Sequence, residues 1–135
     1  MALRAPVTIP IRREEDIIVA RQRGREMARE LGFGLVDQSR IATAISELTR
    51  NILRYAGEGT ASLHPISQRG RRGIEIVCED SGGGIADVDS ALAGHASHGP
   101  GLGIGLPGTR RLMDEMEIES AVGQGTRVTI RKWLR

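Results

Sequence analysis

One cysteine, Cys78, occurs in 135 residues. A lone thiol offers no intramolecular disulfide and no cysteine-based zinc framework, and its place in the apolar stretch Ile74-Glu75-Ile76-Val77-Cys78 is compatible with a reducing cytosol. Aromatic residues are nearly as scarce. Phe33, Tyr55 and Trp133 are dispersed instead of interleaved with basic residues, which argues against a base-stacking platform. Charge of one sign is lacking too: 19 basic residues against 17 acidic ones leave a net charge of +2, too small an excess to indicate nucleic-acid binding. No apolar run reaches the ~18 residues of a membrane span. The start, Met1-Ala2-Leu3-Arg4-Ala5-Pro6, has no apolar segment behind it that would act as a secretion signal. The expectation is therefore a cytoplasmic protein with no nucleic-acid or membrane partner. Repeats, low-complexity tracts and interdomain linkers are absent as well, so residues 1–135 read as a single domain, long enough to bury roughly two-thirds of its unfolded surface.

Glycine is what the chain has in quantity, with 18 residues, many of them in two clusters. The first, Asp80-Ser81-Gly82-Gly83-Gly84, ends an apolar strand candidate; the second is Gly99-Pro100-Gly101-Leu102-Gly103-Ile104-Gly105-Leu106-Pro107-Gly108. An aspartate at a strand end can accept a hydrogen bond from an exocyclic amine, and glycines admit backbone where a Cβ would obstruct it. The second cluster runs into a helix, whose free N–H groups and positive dipole end suit phosphate. Together they suggest a nucleotide pocket.

Periodicity supplies the frame. Val7, Ile9 and Ile11 alternate with Thr8 and Pro10, a half-buried strand whose proline favours a sheet edge. Ile17, Ala20, Gly24, Met27, Ala28 and Leu31 recur at helical spacing until Gly32 and Gly34 stop the pattern. A second helix is expected from about Asp37, as its cap, to Gly57, with Ile41, Ile45, Leu48 and Ile52 on one buried stripe. At ~100° per residue, Glu47 and Asn51 fall together on the flank of that stripe. Strands Thr60–Pro65 and Gly73–Glu79 form a hairpin around the basic turn Gln68-Arg69-Gly70-Arg71-Arg72. A short helix near Asp87–Ala93 and an aperiodic loop over 94–99 follow, then a helix from about Gly105 to Met116 carrying Leu112, Met113 and Met116 inward. Strands Glu117–Val122 and Thr126–Trp133 flank the turn Gly123-Gln124-Gly125. This pattern predicts an α+β fold with helices on one face of a mixed, mostly antiparallel sheet.

Taken singly, each motif has an ordinary reading. Asp80–Gly84 can be a simple turn, and Glu47 a solvated helix residue. Gly103-Ile104-Gly105-Leu106-Pro107-Gly108 matches G-x-G-x-x-G but follows a polar loop, with too little chain after it for a dinucleotide domain, and no phosphate-binding G-x-x-x-x-G-K-[ST] loop occurs. The ordered set carries more weight: Glu47-x-x-x-Asn51, Asp80-x-Gly82-x-Gly84, Gly101-x-Gly103-x-Gly105-Leu106, and Gly123-x-Gly125-Thr126. Asn51 offers a neutral oxygen to Mg²⁺, and Glu47, one turn earlier, is placed to accept the proton of an attacking hydroxyl.

This set resembles the GHKL ATPases, whose two-layer α/β sandwich is the Bergerat fold. The words Ala44-Ile45-Ser46-Glu47-Leu48, Arg111-Leu112-Met113-Asp114-Glu115, Gly32-Phe33-Gly34 and Lys132-Trp133-Leu134-Arg135 are most similar to the anti-sigma serine/threonine kinases within it, of the stressosome RsbT-type switch kinase group. The resemblance implies ATP and Mg²⁺ as cofactors, Glu47 as catalytic base, and Asn51 as the metal-contacting residue. It implies Asp80 on the adenine amino group, Gly82 and Gly84 making room for the ring, and Thr126 reaching the base through water. Gly101, Gly103 and Gly105, with Leu106, would present N–H groups to the phosphates, and Arg54 would be a phosphate contact. The loop from Gly94 to Gly101 would be an ATP lid; where direct sigma-binding relatives can place an arginine, it holds His95, Ser97 and His98. Implied partners are STAS-domain substrates and a PP2C-type phosphatase activated by partner switching, leading to sigma-factor activation. Two other readings stay open: a nucleotide-dependent anti-sigma factor, and the catalytic half of a histidine kinase, against which the lack of a phosphoacceptor helix pair counts.

Overall fold

A computed structural model describes residues 5–83 and 105–135. The expected helix at Asp87–Ala93, the lid with His95, Ser97 and His98, and the site glycines Gly84, Gly101 and Gly103 lie outside the described residues. The elements run β1 (Val7–Ile11), α1 (Glu14–Leu31), α2 (Leu35–Tyr55), β2 (Gly59–Gln68), β3 (Arg71–Asp80), α3 (Gly105–Leu112), β4 (Glu115–Ala121) and β5 (Gly125–Trp133). The five strands order as β1-β2-β3-β5-β4, and every pairing among the described residues is antiparallel. The three described helices cover one face, giving the two-layer α+β architecture expected from the sequence.

Strand alternation decides which side chains meet the helices. Val7, Ile9 and Ile11 on β1, Ala61 and Leu63 on β2, Ile74, Ile76 and Cys78 on β3, and Val128 and Ile130 on β5 share the covered face, where most are fully buried. The expected helical stripe, Ile41, Ile45, Leu48 and Ile52, packs onto them. A Cβ at Gly24 of α1 would strike Ile45 Cδ1, so this glycine sets how closely α1 and α2 approach. Pro10 sits on edge strand β1, as expected. Pro65 lies within β2 but beyond Leu63, where the β1 ladder ends, so its missing N–H breaks no pairing with β1.

Three boundaries differ from the sequence reading. Helix α2 begins two residues before Asp37: extended Gly34 is its N-cap and accepts the Gln38 N–H at 2.9 Å. Asp37 lies instead in the first turn, where it favours the positive dipole end and accepts from Arg40 Nη1 at 3.0 Å. The basic turn contracts to Arg69 and Gly70, since Gln68 already pairs with Arg71, and both turn residues take the positive φ of a primed hairpin turn, 53° and 79°. Helix α3 stops at Leu112. Pairing of Glu115 and Met116 with Arg131 and Ile130 draws them into β4, and Met116 still faces the core because the strand period serves it as well as the helical one.

Candidate active site

The site begins as one cross-strand row. Register places Ile11 opposite Gly59, Gly59 opposite Asp80, Asp80 opposite Thr126, and Thr126 opposite Ser120. Because opposed residues in an antiparallel sheet point the same way, Asp80, Thr126 and Ser120 all project from the helix-covered face. Gly59 leaves that row open next to the aspartate: a Cβ there would stand 3.2 Å from Asp80 Cβ and 2.8 Å from Ile52 Cγ2.

Asp80 is half-buried, and its Oδ1 accepts the Gly82 N–H at 2.9 Å. That short turn orients the carboxylate, and no other bond to it occurs among the described residues. A Cβ on Gly82 would meet Ala56 Cβ at 2.7 Å, so this glycine lets the loop after β3 close against the end of α2. Gly125, with φ 82°, crosses so close to the Asp80 carbonyl that a side chain would collide with it. Thr126 is held by a residue that the sequence reading missed. Ser120 Oγ lies 2.9 Å from the Gly125 carbonyl and 2.8 Å from Thr126 Oγ1. A carbonyl only accepts, so the serine proton goes to Gly125, and Thr126 donates to Ser120, which leaves the Thr126 oxygen as an acceptor. Counting outward from the turn centred on Gly123 would have paired Ser120 with Thr126.

Helix α2 joins this end to the second half of the site. Its C-cap, Ala56, lies against Gly82, and Glu47 lies nine residues earlier, about 14 Å along the helix. A nucleotide with its base at Asp80 would extend along α2 toward Asn51 and Glu47. The Glu47 side chain is 9% exposed, and its Oε1 accepts from Arg50 Nη1 at 2.9 Å. Asn51 is half-buried. Arg54 is exposed, with its guanidinium 5.8 Å from the Tyr55 ring centre.

Leu112, at the end of α3, lines a groove with Leu35, Val36, Ser39, Arg40 and Thr43 in the first half of α2. Helix α3 packs on α2, and Gly105 and Leu106 form its beginning. Gly105 has φ 67°, its carbonyl accepts from Thr109 Oγ1 at 2.8 Å, and Leu106 packs on the core. The far end is fixed by Lys132, also unforeseen as a buried group, whose Nζ donates to the Leu112 carbonyl at 2.8 Å and lies 3.8 Å from Asp37. Among the described residues, no group of three or more His, Cys, Asp or Glu side chains forms a metal cage. A single amide beside a phosphate path fits Mg²⁺, which binds largely through phosphates and waters. Cys78 offers no nucleophile here: burial, with Asp80 and Glu79 adding negative charge, pushes its thiol up to about 12.

Comparison with known proteins identifies the family. The family model described as the histidine kinase-like ATPase domain matches residues 12–132. Serine/threonine-protein kinase RsbT of Bacillus subtilis is 50% identical over 127 residues, covering 94% of this chain and 96% of that protein. An anti-sigma F factor of Clostridium novyi is 32% identical over 100 residues, 70% of each chain. The crystal structure of the RsbU and RsbW domains of a Mycobacterium tuberculosis protein superposes with a TM-score of 0.65 at 18% identity, covering 98% of this chain and 34% of that one, a likeness of fold. With the sheet order, the cross-strand row at Asp80 and a family match over nearly all its length, this chain belongs to the histidine kinase-like ATPase domain family.

Proposed function

We propose that this chain is a serine/threonine protein kinase that uses Mg-ATP to phosphorylate STAS-domain antagonist or scaffold proteins of a stress-signalling complex. Once released from that complex, it activates a PP2C-type phosphatase by partner switching, leading to sigma-factor activation. The observation that carries the reading is the 50% identity to the kinase RsbT over 94% of this chain. In this scheme Asp80 accepts from the adenine amine, the Thr126 oxygen accepts from a water at the base, and Gly105 and Leu106 offer N–H groups to phosphate. Asn51 would hold Mg²⁺, which supplies charge neutralisation on the triphosphate. Glu47 takes the proton of the acceptor serine or threonine.

A second reading, a nucleotide-dependent anti-sigma factor, draws on the 32% identity to an anti-sigma F factor. One experiment separates the two. The protein is incubated with γ-labelled ATP, Mg²⁺ and purified STAS-domain candidates, and in parallel with sigma factors in an ATP-dependent pull-down. Label on a STAS domain with wild type, and its loss by about 100- to 10,000-fold in Glu47→Ala, is expected for the kinase. Retention of a sigma factor without any labelled STAS domain would overturn the kinase reading in favour of the second.

A further inference from the structure

Glu47 and Arg50 form the ion pair nearest the proposed phosphoryl path, and its two members differ in environment. The glutamate side chain is 9% exposed and the arginine 40%. An exposed pair contributes little to stability. A buried carboxylate with one bonded oxygen is another matter, since that bond fixes which way the group faces. Oε1 accepts from Arg50 Nη1 at 2.9 Å, and no second bond to Glu47 occurs among the described residues. Oε2 is therefore the carboxylate oxygen that no described residue engages, on a side chain that is still 9% exposed. Spacing of i, i+3 on one helix makes the contact local, so it persists whatever moves around α2. Arg54, the next arginine along, lies over Tyr55 and does not compete for the carboxylate.

We infer that Arg50 is a positioning residue for Glu47, holding Oε1 so that Oε2 is the atom that receives the acceptor's proton. This rests on the reading of Glu47 as base. In the step so assigned, the acceptor O–H bond breaks and its proton passes to Oε2. The hydroxyl oxygen bonds to the γ-phosphorus as the bond to the β–γ bridging oxygen breaks, and ADP departs with that electron pair. Arg50 touches neither nucleotide nor acceptor. Its planar guanidinium also sets a fixed donor direction that an ammonium on a flexible stem lacks.

The test compares wild type, Arg50→Ala, Arg50→Lys and Glu47→Ala in transfer from γ-labelled ATP to a purified STAS-domain acceptor, with affinity for a non-hydrolysable ATP analogue read by calorimetry. Arg50→Ala is expected to lose about 10- to 100-fold in kcat, the scale of a misplaced reacting group. Its analogue affinity should match wild type. Guanidinium chloride at sub-denaturing concentration should restore part of the rate to Arg50→Ala and none to Glu47→Ala, and Arg50→Lys should fall between wild type and Arg50→Ala. A wild-type kcat in Arg50→Ala, a fall in nucleotide affinity parallel to the fall in rate, or absence of guanidinium rescue overturns the assignment. Should Arg50→Ala fail to fold, Arg50→Lys decides: reduced kcat with unchanged affinity upholds it, and a wild-type kcat overturns it. Wild-type transfer by Glu47→Ala would instead overturn the reading of Glu47 as base, a separate failure.

Discussion

Lys132 and Asp80 stand at opposite ends of the same helix-covered sheet face, and the chain treats the two charges differently. The lysine's side chain is 9% exposed, and its ammonium ties the end of α3 to the start of α2, with the Leu112 carbonyl at 2.8 Å and Asp37 at 3.8 Å. The aspartate, half-buried, is held among the described residues by the N–H of Gly82, two residues on in the same turn. A buried cation with partners from two elements fastens a layer. A carboxylate oriented by its own turn keeps acceptor capacity. The two charges thus differ in where their described partners come from.

Four substitutions test that distinction. The largest effect is expected from Asp80→Asn, which exchanges an acceptor oxygen for a donor at the adenine amine. ATP affinity should fall about 10- to 100-fold by calorimetry, roughly 1.5–3 kcal/mol, while the melting temperature barely moves. An unchanged affinity would remove Asp80 from the adenine end. Lys132→Ala should show the opposite profile, a loss of about 1–3 kcal/mol in denaturant unfolding with nucleotide affinity kept in the folded fraction. If it weakened ATP binding as strongly as Asp80→Asn, the two ends would not be distinct.

Arg131 sharpens the contrast from the uncovered face. It bonds Glu75 at 2.7 Å and Glu115 and Glu117 at 3.1 Å each, contacts that raise its already high pKa, with the Glu75 bond foremost. Arg131→Met should cost about 1 kcal/mol, less in high salt, because this network is partly solvated. A loss that ignored salt would show packing to be the cause. The smallest effect is expected at Asp16, whose carboxylate accepts from the Arg12 and Arg13 N–H groups at 2.8 and 3.0 Å. The Arg12 bond leads in lowering its pKa below the ordinary 3.8. A depressed carboxylate stabilises the fold above its unfolded pKa, and that contribution is lost as pH falls through the folded value. The melting difference between wild type and Asp16→Asn should therefore be present at neutral pH and shrink below the ordinary carboxylate range; a difference constant with pH would contradict this.

Much of the frame was legible in the sequence because it depends on periodicity. The alternation of Val7, Ile9 and Ile11 and the stripe of Ile41, Ile45, Leu48 and Ile52 each name a buried face directly. Boundaries were less legible. Met116 falls on the buried face whether its segment continues the helix or becomes a strand, and pairing with β5 settled the matter. The start of α2 was misplaced because Asp37 is a good cap in isolation, yet Gly34, extended after the α1 stop, reaches that position first.

The order of the motifs, the residue types at Glu47, Asn51, Asp80 and Thr126, and the α+β class are properties of local sequence, and the residues alone determined them. Only the tertiary structure decided that Asp80, Thr126 and Ser120 form one row, that Gly82 lies against Ala56, and that Lys132 ties α3 to α2. Each of these depends on strand register or on packing between segments far apart in the chain. Periodicity reports which face of an element is buried, but it is silent about which residue of another element lies opposite.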